Sequence, residues 1–115
     1  MSYTLIHNPR CSKSRQAKQI LEDNGVEFKV REYLKEPLDS SELKDLFKKL
    51  EFDPSVTIRT NETIYKELSL GESALSQNEW IELLVKNPIL LERPILVSSN
   101  KAIIGRPPEN ILLLI

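Results

Sequence analysis

Apolar residues along the chain change their spacing several times, and the changes divide it into elements. Tyr3-Thr4-Leu5-Ile6 is a short apolar run that predicts a buried strand, stopped by Pro9. Beyond Cys11, residues Ala17, Ile20 and Leu21 recur at helical spacing until Asn24-Gly25, a C-terminal stop. Glu27 to Tyr33 sets Phe28, Val30 and, as a further candidate, Tyr33 among charged neighbours, the pattern of a second strand exposed on one face. From Pro37 to Pro88 the pattern is helical. Asp39 or Ser40 can cap a helix carrying Leu43, Leu46, Phe47 and Leu50, and Thr60-Asn61 opens a short helix through Ile64, Tyr65 and Leu68. Ser76 with Glu79 is a capping-box pair ahead of Trp80, Ile81, Leu84 and Val85. Strand patterns then return. Pro94 precedes Ile95-Leu96-Val97, Ser99-Asn100-Lys101 makes a turn, and Ala102-Ile103-Ile104 completes a hairpin. Pro107-Pro108 suit the first turn of a last helix that holds Ile111 to Leu114.

The order is strand, helix, strand, three helices, strand, strand, helix. It predicts an α/β fold with a mixed four-stranded sheet: a parallel first β-α-β unit, an antiparallel final pair, and a helical insertion between strands 2 and 3. Trp80, Tyr65 and the helical leucines are candidate core, and Lys48-Lys49 a solvated face. With 115 residues, 40% of them hydrophobic and 29% charged, one domain spanning 1–115 is expected.

Sixteen basic and seventeen acidic side chains leave a net charge of -1, so global electrostatics favours neither nucleic acid nor an anionic membrane as partner. The longest apolar run, Ile111 to Ile115, is too short to span a bilayer, and no signal segment is expected. One cysteine cannot form an internal disulfide, and one cysteine with one histidine cannot furnish a structural zinc site. These counts point to a cytoplasmic, metal-free protein in which a lone thiol is kept reduced.

That thiol, Cys11, falls where the first strand hands over to the first helix, in His7-Asn8-Pro9-Arg10-Cys11-Ser12-Lys13-Ser14-Arg15. Backbone N–H groups and the positive end of the helix dipole favour a thiolate there and can also hold an oxyanion. Arg10, Lys13 and Arg15 read as solvated charges that raise the local potential, His7 as a candidate for tuning the thiol, and Ser14 as a helix cap.

Four segments carry a family resemblance: His7 to Arg15; Ile58-Arg59-Thr60-Asn61-Glu62 followed by Tyr65-Lys66-Glu67-Leu68; Asn87-Pro88 through Arg93-Pro94; and Ile104-Gly105-Arg106-Pro107-Pro108. In order and at this spacing, they resemble the glutaredoxin-dependent arsenate reductase family, which has the thioredoxin fold. Some members have Gly-Thr where this chain has Ser12-Lys13. The resemblance implies that Cys11 is the nucleophile toward arsenate and that Arg59, Arg93 and Arg106 bind the oxyanion. It also implies that His7 belongs to the site and that Pro94 is the cis-proline beside the cysteine. Arginine suits this task because it stays charged and offers paired planar donors to a tetrahedral anion.

Reduction of arsenate needs two electrons, and a chain with no second cysteine must obtain them from outside. The missing resolving cysteine argues for an external thiol, and the resemblance implies glutathione as co-substrate and glutaredoxin as partner, with no bound cofactor; a monomer is expected. Two alternatives stand beside this reading. One is a redox-silent regulator of the same fold that binds RNA polymerase, with Ser14 where sensing members carry a second cysteine. The other is a glutathione-dependent thiol reductase for another substrate.

Overall fold

The computed structural model describes residues 2–51, 57–68 and 75–115. The chain divides into two compact units, Met1–Glu36 with Arg93–Ile115, and Pro37–Glu92.

The first unit holds a four-stranded sheet of order β2-β1-β3-β4. Strand β1 (Thr4–His7) is followed by helix α1 (Ser12–Asp23) and strand β2 (Lys29–Glu32), and strands β3 (Ile95–Val97) and β4 (Ala102–Ile104) close the sheet. As the pattern predicts, β1 and β2 are parallel, with Leu5 opposite Val30, and β3 and β4 are antiparallel. Strand β1 pairs antiparallel with β3, Leu5 opposite Leu96. Leu5, Leu96, Ala17, Leu21 and Ile111 form a fully buried cluster between sheet and helix. Strand β2 is shorter than the predicted Glu27–Tyr33 and lies at the sheet edge, which leaves Val30 exposed, while Tyr33 is buried just past its end.

Helix α1 ends as the sequence signals. Gly25 adopts φ +66°, a conformation that favours glycine, and the N–H groups of Gly25 and Val26 close onto the carbonyls of Glu22 and Leu21. The predicted last helix is present and is a 3₁₀ helix, Pro108–Leu113. Its three-residue period puts Pro108 and Ile111 on one face, where both are buried, and leaves Leu112 and Leu113 exposed.

Gly105 marks a close approach. Its N–H bonds to the Pro94 carbonyl at 2.8 Å, and a Cβ placed on it would lie 2.8 Å from Pro94 Cγ and 3.1 Å from Ile111 Cγ2. Gly105→Ala therefore forces apart the segments carrying Arg93 and Arg106 and should lower stability by about 1–3 kcal/mol, measured by denaturant unfolding. Wild-type stability in that variant would show that the close approach yields without cost.

The second unit is helical. Helix α2 (Ser40–Leu50) begins with a reciprocal box in which Asp39 accepts from the Glu42 N–H at 2.8 Å and Glu42 from the Asp39 N–H at 3.1 Å. Helix α4 (Gln77–Lys86) repeats the device with Ser76 and Glu79. Leu43, Leu46, Phe47 and Leu50 of α2 and Trp80, Ile81 and Leu84 of α4 are buried, while Tyr65, a predicted core residue, is only partly covered. The intervening helix α3 is one turn, Thr63–Glu67, and starts after Glu62 rather than at Thr60-Asn61. Glu62 makes no capping bond, and its carboxylate accepts from Arg59 Nε at 3.0 Å. Among the described residues, no helix is long and apolar enough to cross a membrane.

Candidate active site

Cys11 is the N-cap of α1, with φ -92° and ψ 123°. Its N–H donates to the Asn8 carbonyl, and its own carbonyl accepts the first helical bond, from Arg15, each at 3.0 Å. Pro9 and the turn at Asn8 thus deliver the thiol to the helix start. The side chain is half-buried, and burial by itself would push the thiol pKa up. The Ser14 backbone N–H, a hydrogen bond and charge from Arg93, and the charge of Arg106 outweigh that, so the pKa lies below the ordinary cysteine value.

Arg106 and Arg93 interlock around the sulfur. Arg106 Nη2 lies 3.6 Å from Cys11 Sγ, and its Nε donates to the Arg93 carbonyl at 2.9 Å. Arg93 is buried, and its Nη1 donates to the Tyr33 hydroxyl at 3.2 Å. The Arg93-Pro94 peptide is cis, as the resemblance implies, and Arg106-Pro107 is also cis, a second such bond that nothing in the sequence marks.

His7 is buried at the end of β1, and its Nδ1 lies 2.6 Å from Ser14 Oγ. Burial, followed by the charge of Lys18, lowers its pKa; Glu32 opposes them and Arg15 adds to them, so the imidazole is neutral near pH 7. Ser14 is not the helix cap the sequence suggests. Helix α1 has no side-chain cap bond, and Ser14 Oγ is fully buried between His7 and the Asn8 N–H, which it accepts at 3.0 Å. The bond made by His7 thus runs to Ser14, whose N–H in turn holds the thiol.

Arg59 lies in the second unit, where residues 57–59 pair with 90–92. Ile58 bridges Leu91, the Arg59 N–H meets the Leu90 carbonyl at 2.7 Å, and the Glu92 N–H meets the Thr57 carbonyl at 2.8 Å. That pairing sets the Arg59 guanidinium on two carboxylates, Glu62 at 3.0 Å and Glu92 at 2.7 Å. Burial disfavours the Arg59 charge, but these two partners more than compensate and raise its pKa. Of the site residues expected from sequence, Cys11, Arg93 and Arg106 come together, Pro94 follows Arg93 through the cis bond and packs at Gly105, and His7 joins through Ser14. Tyr33 and Ser14 are the neighbours that sequence reasoning missed.

A mixed sheet with a lone cysteine at the start of the first helix and a cis-proline before β3 defines a protein of thioredoxin-like fold. The chain belongs to the ArsC family, whose model matches residues 6–114. It is 49% identical over 109 residues to the uncharacterized protein YfgD of Escherichia coli strain K12, covering 94% of this chain and 92% of that one. It is 44% identical over 108 residues to an arsenate reductase of Neisseria meningitidis serogroup A, covering 93% and 92%. The structure of an arsenate reductase from Vibrio cholerae superimposes with a TM-score of 0.95 at 40% identity, covering 100% of this chain and 98% of that one.

Proposed function

We propose that this protein is an arsenate reductase whose nucleophile is Cys11, with glutathione and glutaredoxin as electron donors. The observation that carries the reading is the Cys11 thiol, its pKa lowered by the Ser14 N–H, Arg93 and Arg106, in a protein similar to chains named arsenate reductase. The Cys11 thiolate attacks arsenic; a sulfur–arsenic bond forms, and one oxygen leaves, protonated, as water or hydroxide. Arg93, Arg106 and Arg59 bind the oxyanion and balance the negative charge that builds as thiolate and arsenate meet. Glutathione then attacks the Cys11 sulfur. A sulfur–sulfur bond forms, the sulfur–arsenic bond breaks, and its electron pair stays on arsenic, released as arsenite. The glutaredoxin thiolate attacks the glutathione sulfur of that mixed disulfide and returns Cys11 as thiolate. In this reading the protein acts as a single-domain cytoplasmic monomer and needs no bound cofactor.

The test is a coupled assay following NADPH consumption with arsenate, glutathione, glutaredoxin and glutathione reductase. Arsenate-dependent turnover is expected, and Arg59→Ala should raise KM for arsenate about tenfold. A folded protein without turnover overturns the assignment, and capture of RNA polymerase subunits by that protein would favour the regulator. An unchanged KM removes Arg59 from the site.

A further inference from the structure

We propose that Tyr33 is the positioning residue for Arg93, aiming its guanidinium at the Cys11 sulfur and the incoming oxyanion; the oxyanion part rests on the function proposed above. The Tyr33 side chain lies just past β2 and is 1% exposed, and its hydroxyl accepts Arg93 Nη1 at 3.2 Å in a buried bond spanning sixty positions of sequence. Arg93 is among the groups that lower the Cys11 pKa, and its carbonyl is tied at 2.9 Å to Arg106 Nε, whose Nη2 lies 3.6 Å from the sulfur. A guanidinium at the end of a long flexible stem serves as a fork only where it is aimed, and anchoring one nitrogen aims the others. The turn that carries Tyr33 is itself fixed: the N–H groups of Lys35 and Glu36 both bond to the Glu32 carbonyl, and Arg31 Nε bonds to the Glu36 carbonyl.

The chemistry of the anchor matters as much as its place. A carboxylate would orient the guanidinium equally well but would set a negative charge beside a thiolate and an oxyanion, opposing both. A phenol hydroxyl is an uncharged partner, so it orients Arg93 without cancelling the charge the thiolate uses. Arg59 shows the other arrangement, held by the carboxylates of Glu62 and Glu92.

Tyr33→Phe keeps the buried ring and removes only the hydroxyl, and a thermal midpoint near that of the wild type confirms the fold. The readout is the rate of Cys11 alkylation by iodoacetamide against pH. With Arg93 less well aimed, the thiol pKa rises. For a rise of about one unit, the rate below both midpoints falls about threefold. On the alkaline plateau it rises about threefold, because a more basic thiolate is the better nucleophile. The two profiles therefore cross, which general loosening of the fold would not produce. In an Arg93→Met background the same substitution should leave the profile unchanged, since the group it aims is gone. A Tyr33→Phe profile superimposable on wild type, or the same shift in the Arg93→Met background, overturns the role. Crossing profiles in a protein that lacks arsenate turnover would uphold the Tyr33–Arg93 pairing at the thiol and overturn the substrate reading alone.

Discussion

Cys11→Ser is expected to abolish arsenate-dependent turnover, by at least about 10⁴-fold, in a protein that is no less stable than the wild type. The two halves of that expectation have separate causes. Chemically, an alcohol is far less acidic than a thiol, so the Ser14 N–H and the two guanidiniums cannot make its oxygen a thiolate-like nucleophile. No other sulfur nucleophile in the chain can substitute, because Cys11 is the only cysteine. Structurally, Cys11 is an N-cap with extended backbone angles and no side-chain cap bond, and serine is among the residues most favoured at that position. Loss of activity together with a retained or raised unfolding midpoint would separate chemistry from fold. Substantial residual turnover in the serine variant would remove Cys11 as nucleophile.

The second large effect is expected from Arg106→Ala. Arg106 touches the sulfur through Nη2 and ties down the Arg93 carbonyl through Nε, so its loss takes a cation from the thiolate and loosens the segment bearing the other guanidinium. Both changes disfavour the anion, so the midpoint of Cys11 alkylation should move to higher pH. Alanine also cannot bind the oxyanion, so kcat/KM for arsenate should fall about a hundredfold. Arg106→Lys should fall between, since it restores charge but not the planar fork that reaches sulfur and carbonyl together. An alkylation midpoint equal to wild type in Arg106→Ala would show that Arg106 does not support the thiolate.

Much of this architecture is legible in the chain because its signals are local. Asp39 with Glu42 and Ser76 with Glu79 mark two helix starts, since a capping box is satisfied within four residues. Gly25 marks the end of α1 because few other residues accept its positive φ. Cys11 falls at a helix N-cap for the same reason: the Pro9 turn and the apolar period after it bracket the position. Less visible are elements whose form depends on distant neighbours. The terminal helix is 3₁₀ because Pro108 and Ile111 both bury on one face, and Ile111 packs against Leu5 and Leu96, remote in sequence. Ser14 reads locally as a cap, yet its oxygen is taken by His7 and the Asn8 N–H, a bond made only once β1 and α1 pack together.

The arginines divide along the same line. Sequence supplies three cations in loops and, through family resemblance, a role for each, but it assigns none of them a partner. Arg93 meets Tyr33 sixty positions away, Arg106 meets Cys11 ninety-five positions away, and Arg59 meets Glu92 across a two-stranded bridge. Element order, helix limits and the place of the lone thiol follow from backbone preference and apolar period, which act over a few residues. The lowered pKa of that thiol and the aim of its guanidiniums follow from packing, because charge and hydrogen bonding act through space between groups that the chain keeps far apart.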